Sequence, residues 1–357
     1  ILPPFGMISE ILPTFSRKPL FGYPFVVYSG IAIGFLSFGV WAHHMFAVGL
    51  GPVPNSVFAT TTMLIAIPTG VKIFNWLGTL WGGSIVTKTP LLFAAGFVGM
   101  FTIGGISGVM HASVPVDYWQ TDSYFVVAHF HYVLFGGSIM AIFGGIYYWF
   151  PKMFGRMLDD RMGKIHFWVT LIAFNMTFFP MHFLGIDGMP RRIYTYPNGM
   201  GWDFWNMEET IGAFILGASV LFFAVNIIKS LRSGEIAPAD PWDGRTLEWS
   251  IPSPPPAYNF AVVPTVTSRD AYWEMKYGST EETDADKVNL NPTPEAERGI
   301  HLPPPSYYPI AAAVGLLGMG AGMVMHGDGI AISWYVVGAG ILVLAFSLFG
   351  WSFEPNH

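Results

Sequence analysis

Residues Val126–Gly137 read VVAHFHYVLFGG, and the way they fold decides what this chain is. His129 and His131 stand two residues apart inside an apolar stretch, 123–150, long enough to cross a membrane. On a helix successive residues turn by ~100°, so positions i and i+2 leave the axis ~200° apart. Two imidazoles so placed point to nearly opposite sides and cannot share one metal. Each can meet a planar cofactor packed on its own side, and haem fits: it needs one axial imidazole and an apolar slot. The plain alternative is a pair of core histidines hydrogen-bonded to neighbours. Ionisable groups inside a membrane are costly and usually functional, which weighs against that alternative.

The surrounding chain is 52% hydrophobic and 11% charged, where soluble domains carry roughly 25% charged residues. Composition alone places it among membrane proteins. The net charge of -6 argues against a nucleic-acid partner. With no cysteine, disulfides and thiolate metal sites are excluded, and any metal falls to His, carboxylate or Met. The opening, ILPPFGMISEIL, carries neither a signal peptide nor an initiating Met. It reads as the end of a helix already under way, and the expectation is an N-terminus further upstream.

Membrane spans of about 20 residues each are expected at 24–42, 57–80, 91–111, 123–150, 164–184, 208–230, 309–326 and 331–351, with residues 1–12 the tail of one more. They are rich in Gly and Ala, which lets helices approach closely in lipid, and do not alternate as barrel strands do. The fold class is therefore all-α, a polytopic transmembrane helix bundle. Arg17, Lys18, Lys88, Lys152, Arg156, Arg161, Lys164, Lys229 and Arg232 fall on one side if the spans alternate, which makes that side cytoplasmic. Arg191 and Arg192 break the rule. Three domains follow: a bundle over 1–231, a polar, acidic and Pro-rich cytoplasmic extension over 232–307, extended rather than packed, and a hairpin over 308–357 turning at HGDG (His326–Gly329).

Four further clusters carry chemistry. In VWAHHMFAVG, His43 and His44 are adjacent where the first span meets the outer surface. Adjacent histidines at a fraying helix end can converge on one metal, and neutral imidazole suits copper, zinc or iron; interfacial polar residues are the plain alternative. In LIAIPTGVKIFNWL, Lys72 lies near the middle of the second span, where an unpaired ammonium costs at least ~2.5–3.5 kcal/mol. Pro68 and Gly70 loosen the helix before it, and Thr69 lies one turn back. A Lys, a hydroxyl and water can relay a proton; a Lys paired with a carboxylate of another chain is the alternative. In GMPRRIYTYP, Arg191 and Arg192 suit carboxylates or phosphates held in fixed geometry, and haem carries two propionates; ordinary surface arginines are the alternative. In VDYWQTDSYF, Asp117 and Asp122 are placed to bond propionates or a metal, and taken alone they more simply cap the His129 helix.

WAHHMF, IAIPTGVK, VVAHFHYV, NMTFFPMHFLG and GMPRR, in this order and spacing, together resemble subunit I of the haem–copper terminal oxidases, specifically cytochrome c oxidase of the large A family, over residues 1 to about 260. The resemblance implies a bundle running from the sixth to the twelfth helix of that subunit. It implies that His43 and His44 are two of three histidines on an active-site copper, that His129 is the axial ligand of the high-spin haem facing that copper, and that His131 is one axial ligand of the low-spin haem. Lys72 and Thr69, with Ser9, match a proton channel. Arg191, Arg192 and Asp117 match contacts to the haem propionates, and Asp122 a magnesium ligand. The cofactors so implied are two haems of A type, one copper and magnesium. The third copper histidine, a tyrosine cross-linked to it, the second low-spin ligand, a glutamate near the site and a second proton channel would lie upstream of Ile1. Thr121 departs from the His that many relatives carry beside the magnesium Asp, and Glu10 stands where some relatives have His near the channel mouth. The 308–357 hairpin resembles the first two helices of oxidase subunit III, or equally a generic small-residue hairpin.

The activity implied is reduction of dioxygen to water with electrons from cytochrome c, coupled to proton translocation. The partners implied are subunit II with its dinuclear copper, subunit III, small subunits, cytochrome c and a lipid bilayer, with no nucleic acid. The location implied is a bacterial plasma membrane, multi-pass, with the Lys/Arg loops and 232–307 cytoplasmic. A quinol oxidase of the same superfamily differs in subunit II rather than in these motifs. A cofactor-free membrane transporter or scaffold would be colourless.

Overall fold

Prolines set many of the helix boundaries. In the computed structural model, which describes residues 1–260, 263–278 and 305–354, helices α1 (Leu2–Ser16), α2 (Tyr23–Leu36) and α3 (Pro52–Leu64) each carry Pro in the first turn, where its missing N–H costs nothing. Inside a helix the same ring clashes with the carbonyl four residues back. Pro68 therefore meets the carbonyl of Leu64, and the chain breaks there: α4 (Ala66–Leu80) follows after the single residue Ile65. Next come α5 (Thr89–Ala112), the short α6 (Val114–Gln120) and α7 (Tyr124–Val133). Ser123 starts α7 by accepting a hydrogen bond from Phe125 N at 3.2 Å. A π-turn over Leu134–Ile139 joins α7 to α8 (Met140–Phe154).

Asp159 caps α9 (Asp160–Phe178), its carboxylate accepting from the N–H groups of Arg161 and Met162 at 3.0 and 3.1 Å. Pro180 opens α10 (Pro180–Ile186). Helix α11 (Asp203–Ser233) runs unbroken for 31 residues. A short α12 (Ala271–Tyr277) and the pair α13 (Tyr308–Gly327) and α14 (Ser333–Ser352) complete the order. Among the described residues there is no sheet, only isolated antiparallel bridges at Ser123–Pro190 and Arg156–Ile236.

Eight helical stretches in the described residues are long and apolar enough to cross a membrane, and they coincide with the eight expected spans. Four are not one plain α-helix. The first passes into 3₁₀ turns over Trp41–Val48, the second is interrupted at Ile65, the fourth contains the π-turn, and the fifth is interrupted at Phe179. The chain divides into two units, Ile1–Leu290 and Asn291–His357. In the first, α1, α5, α8 and α9 surround an aromatic core in which Phe5, Phe97 and Phe101 meet edge to face or stacked. In the second, α13 and α14 pair through small buried residues such as Ala312, Gly315, Gly340 and Ser347, the pattern that lets helices approach without a hydrophobic driving force.

The segment expected to be extended differs from that expectation where it is described. Trp249 is fully buried and Trp242 nearly so, and both belong to the core of the first unit. Trp242 Nε1 donates to Tyr148 O at 2.8 Å, and Trp249 Nε1 to Tyr148 Oη at 2.9 Å. Lys152 Nζ ties the strap down by donating to Ala239 O and Ile251 O at 2.9 and 2.6 Å. Residues 240–251 thus close one end of the bundle, because two indoles outweigh the polar composition around them. Residues 261–262 and 279–304 of the expected extension lie outside the described residues.

Candidate functional site

A cavity of about 520 Å³ opens among the 3₁₀ segment, α3, α4, α5, α6 and α7, and its walls include His43, His44, Thr69, Asp117, His129 and Arg191. Most of its lining is apolar, with Phe101, Ile106 and Val126 among it, as expected for a small-molecule site of 300–1,000 Å³.

His43 and His44 lie in the 3₁₀ segment. At 3.0 residues per turn neighbours leave the axis about 120° apart, wider than on an α-helix, so it is their side-chain torsions that fold the two rings toward each other, with centroids 4.2 Å and Nε2 atoms 3.0 Å apart. Thr62 Oγ1 donates to Phe58 O at 2.6 Å, which leaves its lone pairs to accept from His43 Nδ1, 3.2 Å away. His43 Nε2 is then the ring's lone-pair nitrogen. With metal–imidazole bonds of about 2.0 Å, nitrogens 3.0 Å apart subtend about 97° at a shared metal, close to the right angle of a tetragonal site. Among the described residues no group of three His, Cys, Asp or Glu forms a metal site, so these two stand as a pair.

The histidines of the opening motif are parted by their helix. His129 lines the cavity. Its Nδ1 lies 3.0 Å from Gly104 O and 2.9 Å from Ser107 Oγ, so Nδ1 carries the proton and Nε2, unbonded among the described residues, is free for a metal. That is the arrangement in which metal-ligating histidines are held. The ring lies over Gly108, where a Cβ would come within 3.0 Å of Cε1. His131 is not in the cavity wall. It stacks on Phe178 of α9, centroids 4.0 Å apart at 13°, and its Nδ1 donates to Val127 O at 2.8 Å. The π-turn begins three residues later, a distortion often found beside functional sites.

Lys72 is 4% exposed. Its Nζ donates to Val26 O of α2 at 2.7 Å and sits 5.4 Å from the Phe5 ring. It makes no ion pair among the described residues. Thr69, Lys72 and Trp76 follow an i, i+3, i+7 stripe on α4. Thr69 reaches the cavity wall, while Trp76 Nε1 donates to Ser9 Oγ at 3.0 Å. Thr69 and Lys72 therefore share one face of α4, and Ser9 meets that face from α1 through the Trp76 indole.

The charged groups gather where α6 and the 187–193 turn meet. Arg191 N donates to Asp122 O at 2.9 Å and its Nε to Asp122 Oδ1 at 2.7 Å, so Asp122, the magnesium candidate, is engaged by Arg191. Neither Asp caps α7; that role falls to Ser123, because Asp122 adopts the left-handed φ of 57°. Asp117 is buried within α6 and lines the cavity. Arg192, at φ 66°, is exposed and outside the lining.

One residue escaped the sequence reading. His111, at the end of α5, lines the cavity, stands edge-on to His129 with centroids 5.1 Å apart, and places Nδ1 3.5 Å from Asp117 Oδ1. The available signal was an ionisable residue at the end of a span, six positions before Asp117.

Residues 1–215 match the family described as Cytochrome C and Quinol oxidase polypeptide I. The chain belongs to this family. Cytochrome c oxidase subunit 1 of Alkalihalophilus pseudofirmus is 48% identical over 100% of this chain and 56% of its own length. The same-named protein of Bacillus sp. PS3 is 49% identical over 100% of this chain and 57% of its own. Quinol oxidase subunit 1 of Bacillus subtilis is 46% identical, again over 100% of this chain and 53% of its own. The chain thus spans little more than half the length of these polypeptide I relatives. A solved heme-copper terminal oxidase dimer is similar in fold, with a TM-score of 0.59 at 20% identity over 66% of this chain and 47% of that one. Haem and copper are typical of the family, and the donors present fit both: a free Nε2 over a glycine for haem, and two converging imidazoles for copper.

Proposed function

We propose that this chain is the part of a respiratory terminal oxidase subunit I that carries a haem–copper centre, which reduces dioxygen to water with electrons from cytochrome c and couples this to proton translocation. The observation that carries the reading is the shared cavity: the His43–His44 pair and the tautomer-fixed His129 line one apolar chamber. His43 and His44 hold copper there, His129 holds the high-spin haem and His131, on the far side of α7, the low-spin haem, both of A type. When bound, these metals supply the redox chemistry at which dioxygen is reduced. The chain's own part is placement: one turn of α7 fixes both haem ligands, and the apolar walls exclude water.

Arg191 and Asp117 line the cavity and frame the place of the haem propionates, Arg191 by attraction and Asp117 through a donor shared with them; Arg192, exposed and outside the lining, follows Arg191 in the chain. Asp122, held by Arg191, is the one candidate for a magnesium ligand. Lys72 passes protons toward the cavity through Thr69, supplied past Ser9. The end closed by the 240–251 strap, which also holds Arg17 through hydrogen bonds to Trp242 O and Asp243 O at 2.8 Å, faces the cytoplasm of a bacterial plasma membrane. Subunit II with its dinuclear copper, subunit III and small subunits complete the assembly, and α13–α14 is a subunit III-like hairpin.

A second reading is a quinol oxidase, favoured by the 46% identity to a quinol oxidase subunit 1. The test uses the full-length subunit purified with its partners. The expected result is a visible spectrum with high- and low-spin haem bands, and oxygen uptake driven by reduced cytochrome c. Uptake driven only by a quinol supports the second reading. A colourless preparation overturns both.

A further inference from the structure

We propose that His111 is a cofactor-binding residue, donating a hydrogen bond from its imidazole to a carboxylate side chain of the planar ligand that His129 holds. The inference rests on the haem reading of His129. His111 is nearly buried, its side chain 12% exposed, yet among the described residues neither ring nitrogen has a hydrogen-bond partner. Buried polar groups are almost always paired, so an imidazole left this way in a cavity wall takes its partner from the occupant of that cavity. Nδ1 lies 3.5 Å from Asp117 Oδ1 without making a hydrogen bond to it.

The ring is held ready. It stands edge-on to His129 at 5.1 Å and to Phe125 at 5.2 Å between centroids, so its orientation is fixed by the same residue that would ligate the iron. The charges around it call for a donor. Asp117 is a carboxyl group in the cavity wall, and among the described residues the one guanidinium there, Arg191, is already paired with Asp122. A carboxylate arriving beside Asp117 meets like charge, which is unfavourable at short range in a low-dielectric site. An imidazole N–H next to Asp117 offsets that repulsion and fixes how the ligand's carboxylate edge is oriented.

Two variants separate donation from packing. His111→Phe keeps a ring and removes the donor; His111→Gln removes the ring and keeps an N–H. Both are made in the full-length subunit, purified with its partners, and read by haem content and by redox titration of the high-spin band. Losing a donor leaves the carboxylate's negative charge less compensated, which disfavours adding an electron to the iron. The expected result is a midpoint potential shifted downward in His111→Phe, or its high-spin haem lost, while His111→Gln stays near wild type. Equal potentials in all three proteins, or a His111→Gln variant displaced or depleted as far as His111→Phe, overturns the inference. A wild-type preparation without a high-spin band overturns the reading of His129 itself, and with it this one.

Discussion

The Nε2 atoms of His43 and His44 face each other at 3.0 Å, and the His43 ring is locked from behind by Thr62. His43 Nε2 presents its lone pair across this gap, which a proton on His44 Nε2 or a bound cation can fill. The geometry is that of a chelate, and its quality depends on the Thr62 hydroxyl that sets the tautomer. Removing such an outer partner typically costs 10–100-fold in metal affinity. Thr62→Val is therefore expected to weaken copper retention by about 10–100-fold with haem bands intact. Copper content after graded chelator treatment measures it, and retention equal to wild type would show that Thr62 does not orient the ligand.

Lys72 has one hydrogen bond, to Val26 O, and no counter-ion among the described residues. A structural lysine so placed would be a liability, since an ammonium in the membrane interior is costly. Lys72→Met is expected to leave thermal stability unchanged or raised. Turnover is expected to fall by about 100-fold or more, the usual scale for losing a proton-transfer group. A stopped-flow measurement of oxygen reduction and proton uptake decides this. Unchanged uptake would remove Lys72 from the proton route.

These two sites differ in how far they could be read from sequence. The opposed directions of His129 and His131 follow from helix geometry alone, and the break at Ile65 follows from Pro68. The convergence of His43 and His44 depends on how their side chains turn within the segment Trp41–Val48, which no local periodicity announces. His111 acquires meaning only when the turn into α6 returns Asp117 to it and α7 lays His129 beside it, contacts between residues 6 and 18 positions apart. Trp242 and Trp249 were masked by the prolines and acids around them, because composition averages over a segment and burial is decided residue by residue.

Asp159 offers a pH test at the other end of the bundle. Its carboxylate is held below the ordinary carboxylate range, chiefly by the hydrogen bond from Lys229 Nζ at 2.9 Å and then by the N–H groups of Met162 and Arg161. The folded pKa lies below the unfolded one, so the stabilisation is complete above the unfolded value and is lost as pH falls through the folded value. Asp159→Ala is expected to cost about 1 kcal/mol at neutral pH through the lost cap. The gap to wild type should narrow below about pH 4. Thermal melts in detergent at both pH values check this, and a gap of equal width under acid would assign the effect to something other than the carboxylate.

Gly108 sets helix propensity against packing. Alanine is favoured over glycine in a helix interior by about 1 kcal/mol, and at Gly99, exposed and outside the cavity wall, where a Cβ meets nothing within 4 Å, Gly99→Ala should realise part of that gain. At Gly108 the added methyl would press on His129 Cε1 at 3.0 Å. The ring cannot swing away without breaking the contacts of Nδ1 to Gly104 O and Ser107 Oγ. Overpacking of this kind costs about 1–3 kcal/mol, which exceeds the propensity gain. Gly108→Ala is therefore expected to lower the melting temperature and deplete the high-spin haem band while the low-spin band, tied to His131 on the opposite side of α7, persists. Visible spectra of the two alanine variants side by side measure the difference. A Gly108→Ala protein with both bands intact and a raised melting temperature would mean that the His129 ring is free to move, and that its Nε2 is not preset for a metal.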